Sequence, residues 1–376
     1  MKAALRVLFG AAAALVLTAQ AFAQEVKTTN SKSWDLSGNI QLQHLYNTDI
    51  TGDAGRTNQG FRIRRGRFVA KGKLTDYVET SFQIEVRDNS PRLKDAEGKI
   101  KLARELYFRF GQFKVPVWRE ELRSSTRLLL VERSAAADFL VNNNLSARHI
   151  GVEFGRAPKE GLQFVFNLSN GAGEGGREDA GQNKGNFPTN ANFTNNGKLL
   201  TGRFNWIASK TFQLGLSGAV NNVGIKVSTP TSTTDNTGTI TSITPDFGAY
   251  FTTGAKSQID IEGGMVLGKI SKEVFGAAAV DDQSFTLFDV TGRWLTQMSA
   301  AKASLGGLDA FELAAGFTLV DPNSDLTNSE TKYFRFGPAF YFGKQTRLQF
   351  NAEFEMPGGE GTQDVFQIRS QANFVF

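Results

Sequence analysis

From residue 33 onward, apolar and polar residues alternate along the chain with a period of two. In 76–87, DYVETSFQIEVR, the residues Val78, Thr80, Phe82, Ile84 and Val86 share one face, while Glu79, Ser81, Gln83 and Glu85 share the other. In 345–356, QTRLQFNAEFEM, Leu348, Phe350, Ala352, Phe354 and Met356 alternate with Arg347, Gln349, Asn351, Glu353 and Glu355. This period predicts strands with one apolar and one polar face. A soluble sandwich produces it, since each sheet has a wet face. A membrane barrel produces it too, with lipid outside and water inside. Segments longer than usual sandwich strands, with apolar faces rich in Phe, favour the barrel. Sixteen segments carry the pattern: 34–46, 60–73, 76–87, 100–110, 112–117, 147–156, 161–170, 198–208, 211–222, 256–268, 272–280, 284–295, 308–320, 331–343, 345–356 and 364–376.

The connections give an independent check. Outer-membrane barrels alternate short turns at one rim with longer loops at the other. After even-numbered segments the connections are 74–75, 111, 157–160, 209–210, 269–271, 296–307 and 344, of which one is long. After odd-numbered segments they include 47–59, 88–99, 118–146, 171–197, 223–255 and 321–330, all long, with 281–283 as the exception. The expected fold is therefore all-β: a transmembrane antiparallel barrel of sixteen strands.

The first residues stand apart. Residues 1–23 carry Lys2 and Arg6, then an apolar run, then Ala21-Phe22-Ala23. That order predicts a secretory signal peptide rather than a membrane anchor, because the apolar run is short and ends in a small-residue box. Residues 24–376 are then one barrel domain. Removing Lys2 and Arg6 takes the formal charge from +5 to about +3, too small for a basic nucleic-acid footprint. The chain has no Cys, which excludes disulfide scaffolds, thiolate metal sites and Cys nucleophiles. It ends in QDVFQIRSQANFVF, an amphipathic strand whose last residue, Phe376, resembles the recognition signal of bacterial outer-membrane proteins. The expected location is the outer membrane of a Gram-negative-type bacterium.

Catalytic chemistry finds little support. GAGEGG at 171–176 fits a dinucleotide fingerprint by its letters, but loop composition follows where a helix is needed. The two histidines are far apart: His44 shares the lipid phase of Ile40 and Leu42, and His149 opposes Ile150, Val152 and Phe154 and so faces the lumen. Neither has a nucleophile or acid at a telling spacing, and the pair makes a poor metal set. No enzyme activity and no cofactor are expected.

The cations are more informative. In FRIRRGRFVAKG, 61–72, Phe61 and Ile63 oppose Arg62 and Arg64, while Phe68 and Ala70 oppose Arg67 and Lys71. The two phases disagree by one residue, and a β-bulge around Arg64–Gly66 reconciles them. A lipid-facing Arg at mid-membrane costs about 2–4 kcal/mol, so Arg62, Arg64, Arg65, Arg67 and Lys71 are expected on the water-filled wall. There they would line an anion path, or merely balance Glu79 and Glu85 on the next strand. Segment 118–146 is too long and too apolar for a free loop. It is expected to fold into the barrel, with Arg119, Arg123, Arg127 and Arg133 at a constriction, tempered by Glu120, Glu121 and Glu132, or to plug the space by pairing those charges.

FRIRRGRF at 61–68, GQFKVP at 111–116, LRSSTRLLLVERS at 122–134 and RHIGVEFG at 148–155 together resemble the phosphate-selective porin O and P family. The resemblance covers the mature chain, most clearly 60–156. It implies a trimeric sixteen-stranded pore in the lipid bilayer that takes up small anions, phosphate among them. It also implies an anion-contacting role for Arg64 and Arg65, and adds Lys114 to the anion path. Glu79, Glu85, Glu105, Glu353 and Glu355 depart from a purely cationic lumen. The implied function is thus a diffusion pore for small hydrophilic solutes that leans to anions, the alternatives being a non-selective general porin or a plugged structural barrel.

Overall fold

The computed structural model describes residues 33–48, 59–87, 90–174, 197–228, 231, 233–275, 281–298, 307–343 and 345–376. The expected leader, 1–23, lies outside the described residues. The first eight strands are β1 (Ser33–Asn47), β2 (Gln59–Lys73), β3 (Val78–Arg87), β4 (Ser90–Lys101), β5 (Leu106–Lys114), β6 (Arg148–Arg156), β7 (Gly161–Ser169) and β8 (Leu199–Ile207). The second eight are β9 (Phe212–Ser228), β10 (Thr233–Thr252), β11 (Ser257–Ile270), β12 (Gln283–Gln297), β13 (Leu308–Asp321), β14 (Thr331–Phe342), β15 (Thr346–Pro357) and β16 (Val365–Val375). Each pairs antiparallel with its sequence neighbours, and β16 closes on β1. Closure leaves no unpaired sheet edge. No described helix is long and apolar enough to span a membrane.

The count of sixteen holds, but three of the sixteen segments are displaced. The sequence pattern divides 100–117 at residue 111, whereas the turn lies at 102–105 and Gly111 sits inside β5 with φ 119°. Residues 88–99, expected as an outer loop, mostly form β4. A register shift opposite Gln83 and Ile84 leaves Lys94 as a bulge and breaks the alternation, and outward Ala96 and Gly98 carry little hydrophobic signal. Residues 223–255, also expected as a loop, hold the end of β9 and all of β10. There the pattern is broken at two positions: Ile240 is buried on the lumen side, and Pro245 faces out. Proline in mid-strand normally argues against a strand, and the β10–β11 ladder skips Thr244 and Pro245. Segment 272–280 is not a strand where it is described: Lys272–Phe275 is a 3₁₀ turn whose Val274 is buried, and 276–280 lie outside the described residues. With these corrections the strand after β11 is β12, starting at Gln283, and the short 281–283 connection disappears.

The outward face carries exposed Phe61, Phe68, Phe82, Phe110, Phe166, Phe204, Phe336 and Phe354, as a lipid-facing wall requires. The apolar core lies inside the barrel. The 115–147 segment folds inward and holds two short helices, α1 (Arg119–Leu122) and α2 (Ala135–Asn142). Val115, Val117, Trp118, Ala136, Ala137 and Leu140 pack on Leu199, Val223, Ile240, Val266, Phe285 and Leu287 of the opposite wall. Ser134 caps α2 by accepting from the Ala137 N–H at 3.2 Å.

The barrel seam rests on a glycine. Gly38 donates to the Phe376 carbonyl at 2.7 Å and accepts from the Phe376 N–H at 3.0 Å. A Cβ on Gly38 would lie 2.6 Å from the Phe376 ring and 2.5 Å from the Arg67 carbonyl oxygen. Gly38→Val is therefore expected to weaken closure by about 1–3 kcal/mol through overpacking. The check is the temperature at which the compact band converts to the unfolded one on a detergent gel. An unchanged midpoint would contradict the close approach.

Candidate functional site in the barrel lumen

The bulge expected in β2 is present. Gln41 pairs with Arg65 and Leu42 with Ile63, so Arg64 is the extra residue. It turns Arg64 and Arg65 both inward, which strict alternation forbids, while Phe61, Ile63 and Phe68 stay outside.

The arginines converge on one carboxylate that 61–72 does not contain. Glu132, carried in by the inward loop, sits 2.5 Å from Arg64 Nε and 3.1 Å from Arg65 Nη2, with Arg62 Nη2 at 3.9 Å. Gln43 donates to the same carboxylate at 2.8 Å and accepts from Arg62. Arg65 also donates to Gln41 at 2.7 Å. Burial opposes the charge on Glu132, but the Arg65 and Arg64 guanidiniums outweigh burial and hold its carboxyl well below the usual range. The pairing therefore contributes stability above the ordinary glutamate pKa, and loses it only as pH falls through the depressed folded value. Arg67 lies beyond this cluster, 2.5 Å from Glu85 and 2.7 Å from the Ser125 hydroxyl.

The loop arginines divide by role. Arg119 donates to Asp246, Gln213 and Asn205 at 2.9–3.0 Å. Arg123 pairs with Glu262, and Arg133 with Glu121 at 2.7 Å. Lys114 donates to the carbonyls of Glu121 and Arg123. These four cations hold the loop to the wall and to itself. Arg127 differs: it is exposed to the lumen, and its guanidinium has no partner among the described residues. Lys71 is likewise exposed and lines the lumen opposite Asp35.

Two cavities of about 660 Å³ each lie on the short-turn side of the loop. They share Arg109, Lys114, Leu122, Ser124 and Arg127, so the Arg127 side chain stands where they meet. A third, of about 400 Å³, continues toward the short turns past Lys71, Glu97 and Lys99. The first is lined by seven Arg or Lys side chains against three carboxylates, a cationic excess. The sequence reading missed the strand arginines among them, Arg109, Arg203 and Arg293. Each lies in the polar phase of its strand, so phase alone would have placed them. It also missed Arg335 and Arg347, which reach the loop carbonyls of Glu132 and Leu128.

The histidines and the other glutamates lie outside this cluster. His149 is fully buried beneath the loop, with Nε2 3.1 Å from the Ser146 carbonyl and Nδ1 accepting from the Gly173 N–H at 3.2 Å. Two backbone partners fix the ring. His44 faces outward against Phe61, ring centroids 4.7 Å apart. Glu105 lies at a short turn, paired with Arg156 rather than in the lumen. Glu79 pairs with Lys101, and Glu353 lies 3.7 Å from Arg369.

A closed sixteen-stranded barrel with a lipid-type exterior, a charged interior and a loop folded inward is an outer-membrane porin. The sequence model for phosphate-selective porin O and P matches residues 36–255, more than half of the chain. The chain belongs to that family. No curated protein sequence matches it. Among solved structures it is similar to OprB of Pseudomonas putida, with TM-score 0.64 and 9% identity over 92% of this chain and 94% of that one. It is also similar to the outer membrane channel DcaP of Acinetobacter baumannii, with TM-score 0.57 and 12% identity over 92% and 97%. The trimer form of OmpT of Vibrio cholerae gives TM-score 0.57 and 12% identity over 92% and 100%. At these identities the likeness establishes the fold.

Proposed function

We propose that this porin is a water-filled, non-enzymatic channel for passive uptake of small hydrophilic solutes, leaning to anions such as phosphate. The observation that carries the reading is the cationic lining of the cavity beneath the loop, with Arg127, exposed and without a partner among the described residues, at its junction with the next. Fixed cations on a water-filled wall raise the local anion concentration and lower the entry barrier for anions. Arg62, Arg64, Arg65, Arg67, Lys71 and Lys114 would form the anion path, and Arg119, Arg123, Arg127 and Arg133 the constriction. Lys114 and three of the loop arginines would act mainly by holding the loop in place. The protein would work as a homotrimer exported by its leader, the trimer form of OmpT supporting the assembly.

One set of observations favours weak selectivity: most lumen arginines have a carboxylate partner, so the field is mixed. A pore that passes small neutral solutes as well as anions fits both. The test is osmotic swelling of proteoliposomes in a neutral sugar and in a phosphate salt. Swelling in both, faster with phosphate, is expected. No swelling in either would mean a plugged barrel.

A further inference from the structure

The carboxylate of Glu132 is placed as a bound anion would be placed. It faces Arg62, Arg64 and Arg65 together: the Arg64 fork donates to both of its oxygens, and Arg65 donates to the second of them as well. Planar guanidinium forks aimed at two oxygens of one group are the geometry used for carboxylates and phosphates alike. The group is not part of the wall, for it arrives on the inward loop from 67 residues further along than Arg65. Its backbone is held independently: Arg335 donates to the Glu132 carbonyl at 3.2 Å, and the Val131 N–H donates to Asn351 at 2.6 Å. The side chain can therefore leave the arginines while the loop stays in place.

We propose that Glu132 is the specificity-determining residue of this channel, a tethered anion that occupies the arginine site and must be displaced before a free oxyanion can bind there. This rests on reading the arginine wall as an anion path. Three guanidiniums face one carboxylate, so the site keeps a positive excess and still attracts anions. An incoming oxyanion meets Arg62 first, the most exposed of the three with a third of its side chain accessible. It then competes with Glu132 for Arg64 and Arg65. A tethered competitor acts at high effective concentration. The consequence is a wall that passes anions without holding them.

The test is Glu132→Gln in planar bilayers, reading block of chloride current by added inorganic phosphate. Glutamine keeps the size and the contact with Gln43 but removes the charge. Half-block is expected at about tenfold lower phosphate than in the parent channel, the worth of one charge-assisted contact. Adding Arg64→Gln and Arg65→Gln should abolish that gain. An unchanged half-block in a channel that still prefers chloride to potassium would overturn the proposal and leave the anion path standing. A parent channel that prefers potassium would instead sink the anion path itself. Should Glu132→Gln fail to insert, Glu132→Asp, which withdraws the carboxylate by one methylene, must show an intermediate gain. If Glu132→Asp blocks at the parent's phosphate concentration, the proposal fails.

Discussion

Arg127→Glu is expected to shift the chloride-to-potassium permeability ratio toward potassium by several-fold, up to about tenfold, and to do so more than any other single loop substitution. Arg127 is the one loop arginine without a partner among the described residues, and it stands where the two 660 Å³ lumen cavities meet. A unit charge 4 Å from a passing ion is worth about 1 kcal/mol in water, and reversal doubles the change. Ions sample longer distances and are screened over a Debye length of about 8–10 Å, which brings the expected effect below that limit. The contrast is Arg64→Gln. Its charge is already met by Glu132, so its removal should move the ratio less. Reversal potentials in a potassium chloride gradient give both ratios. If Arg64→Gln moves the ratio further than Arg127→Glu, the division between free and paired arginines is wrong.

Asp246→Asn is expected to cause the largest loss of stability. The Asp246 carboxylate serves two guanidiniums at once: Arg203 at 2.5 and 2.8 Å from β8, and Arg119 at 2.9 Å from the inward loop. Both arginines and the aspartate are largely buried. Breaking a buried pair from one side costs about 3–5 kcal/mol, because the stranded charges remain. Gln213 and Asn205 still hold Arg119, so the value should fall toward the lower end of that range. The exposed Lys73–Asp76 pair is the control, and Asp76→Asn should cost less than about 1 kcal/mol. Denaturant unfolding in detergent micelles compares the two. Equal losses would mean that lumen water screens the Asp246 cluster as fully as the rim.

Much of this was legible in the chain. Period-two alternation with Phe on one face is a local property, and it placed thirteen strands, most of them within a few residues. The phase conflict in FRIRRGRF placed a bulge around Arg64–Gly66, because arginine on lipid is costly enough to decide the register, and the extra residue is Arg64. The failures also have local causes. Lys94 bulges and shifts the phase of β4, Gly111 imitates a turn inside β5, and β10 turns Ile240 inward. Ile240 points inward because the inward loop offers it an apolar partner there, which periodicity alone does not encode. The site was half legible for the same reason. The strand phase shows that Arg64 and Arg65 face water. It does not say that a glutamate from a distant loop will meet them, or that Arg127 finds no partner among the described residues.

The anion lean of the lumen is the central claim, and the reversal potential of the unmodified channel in a tenfold potassium chloride gradient tests it most directly. The account predicts a potential whose sign reports chloride passing faster than potassium, shrinking as salt rises and screens the wall. A potential of zero at low salt, or one of the opposite sign, would contradict it.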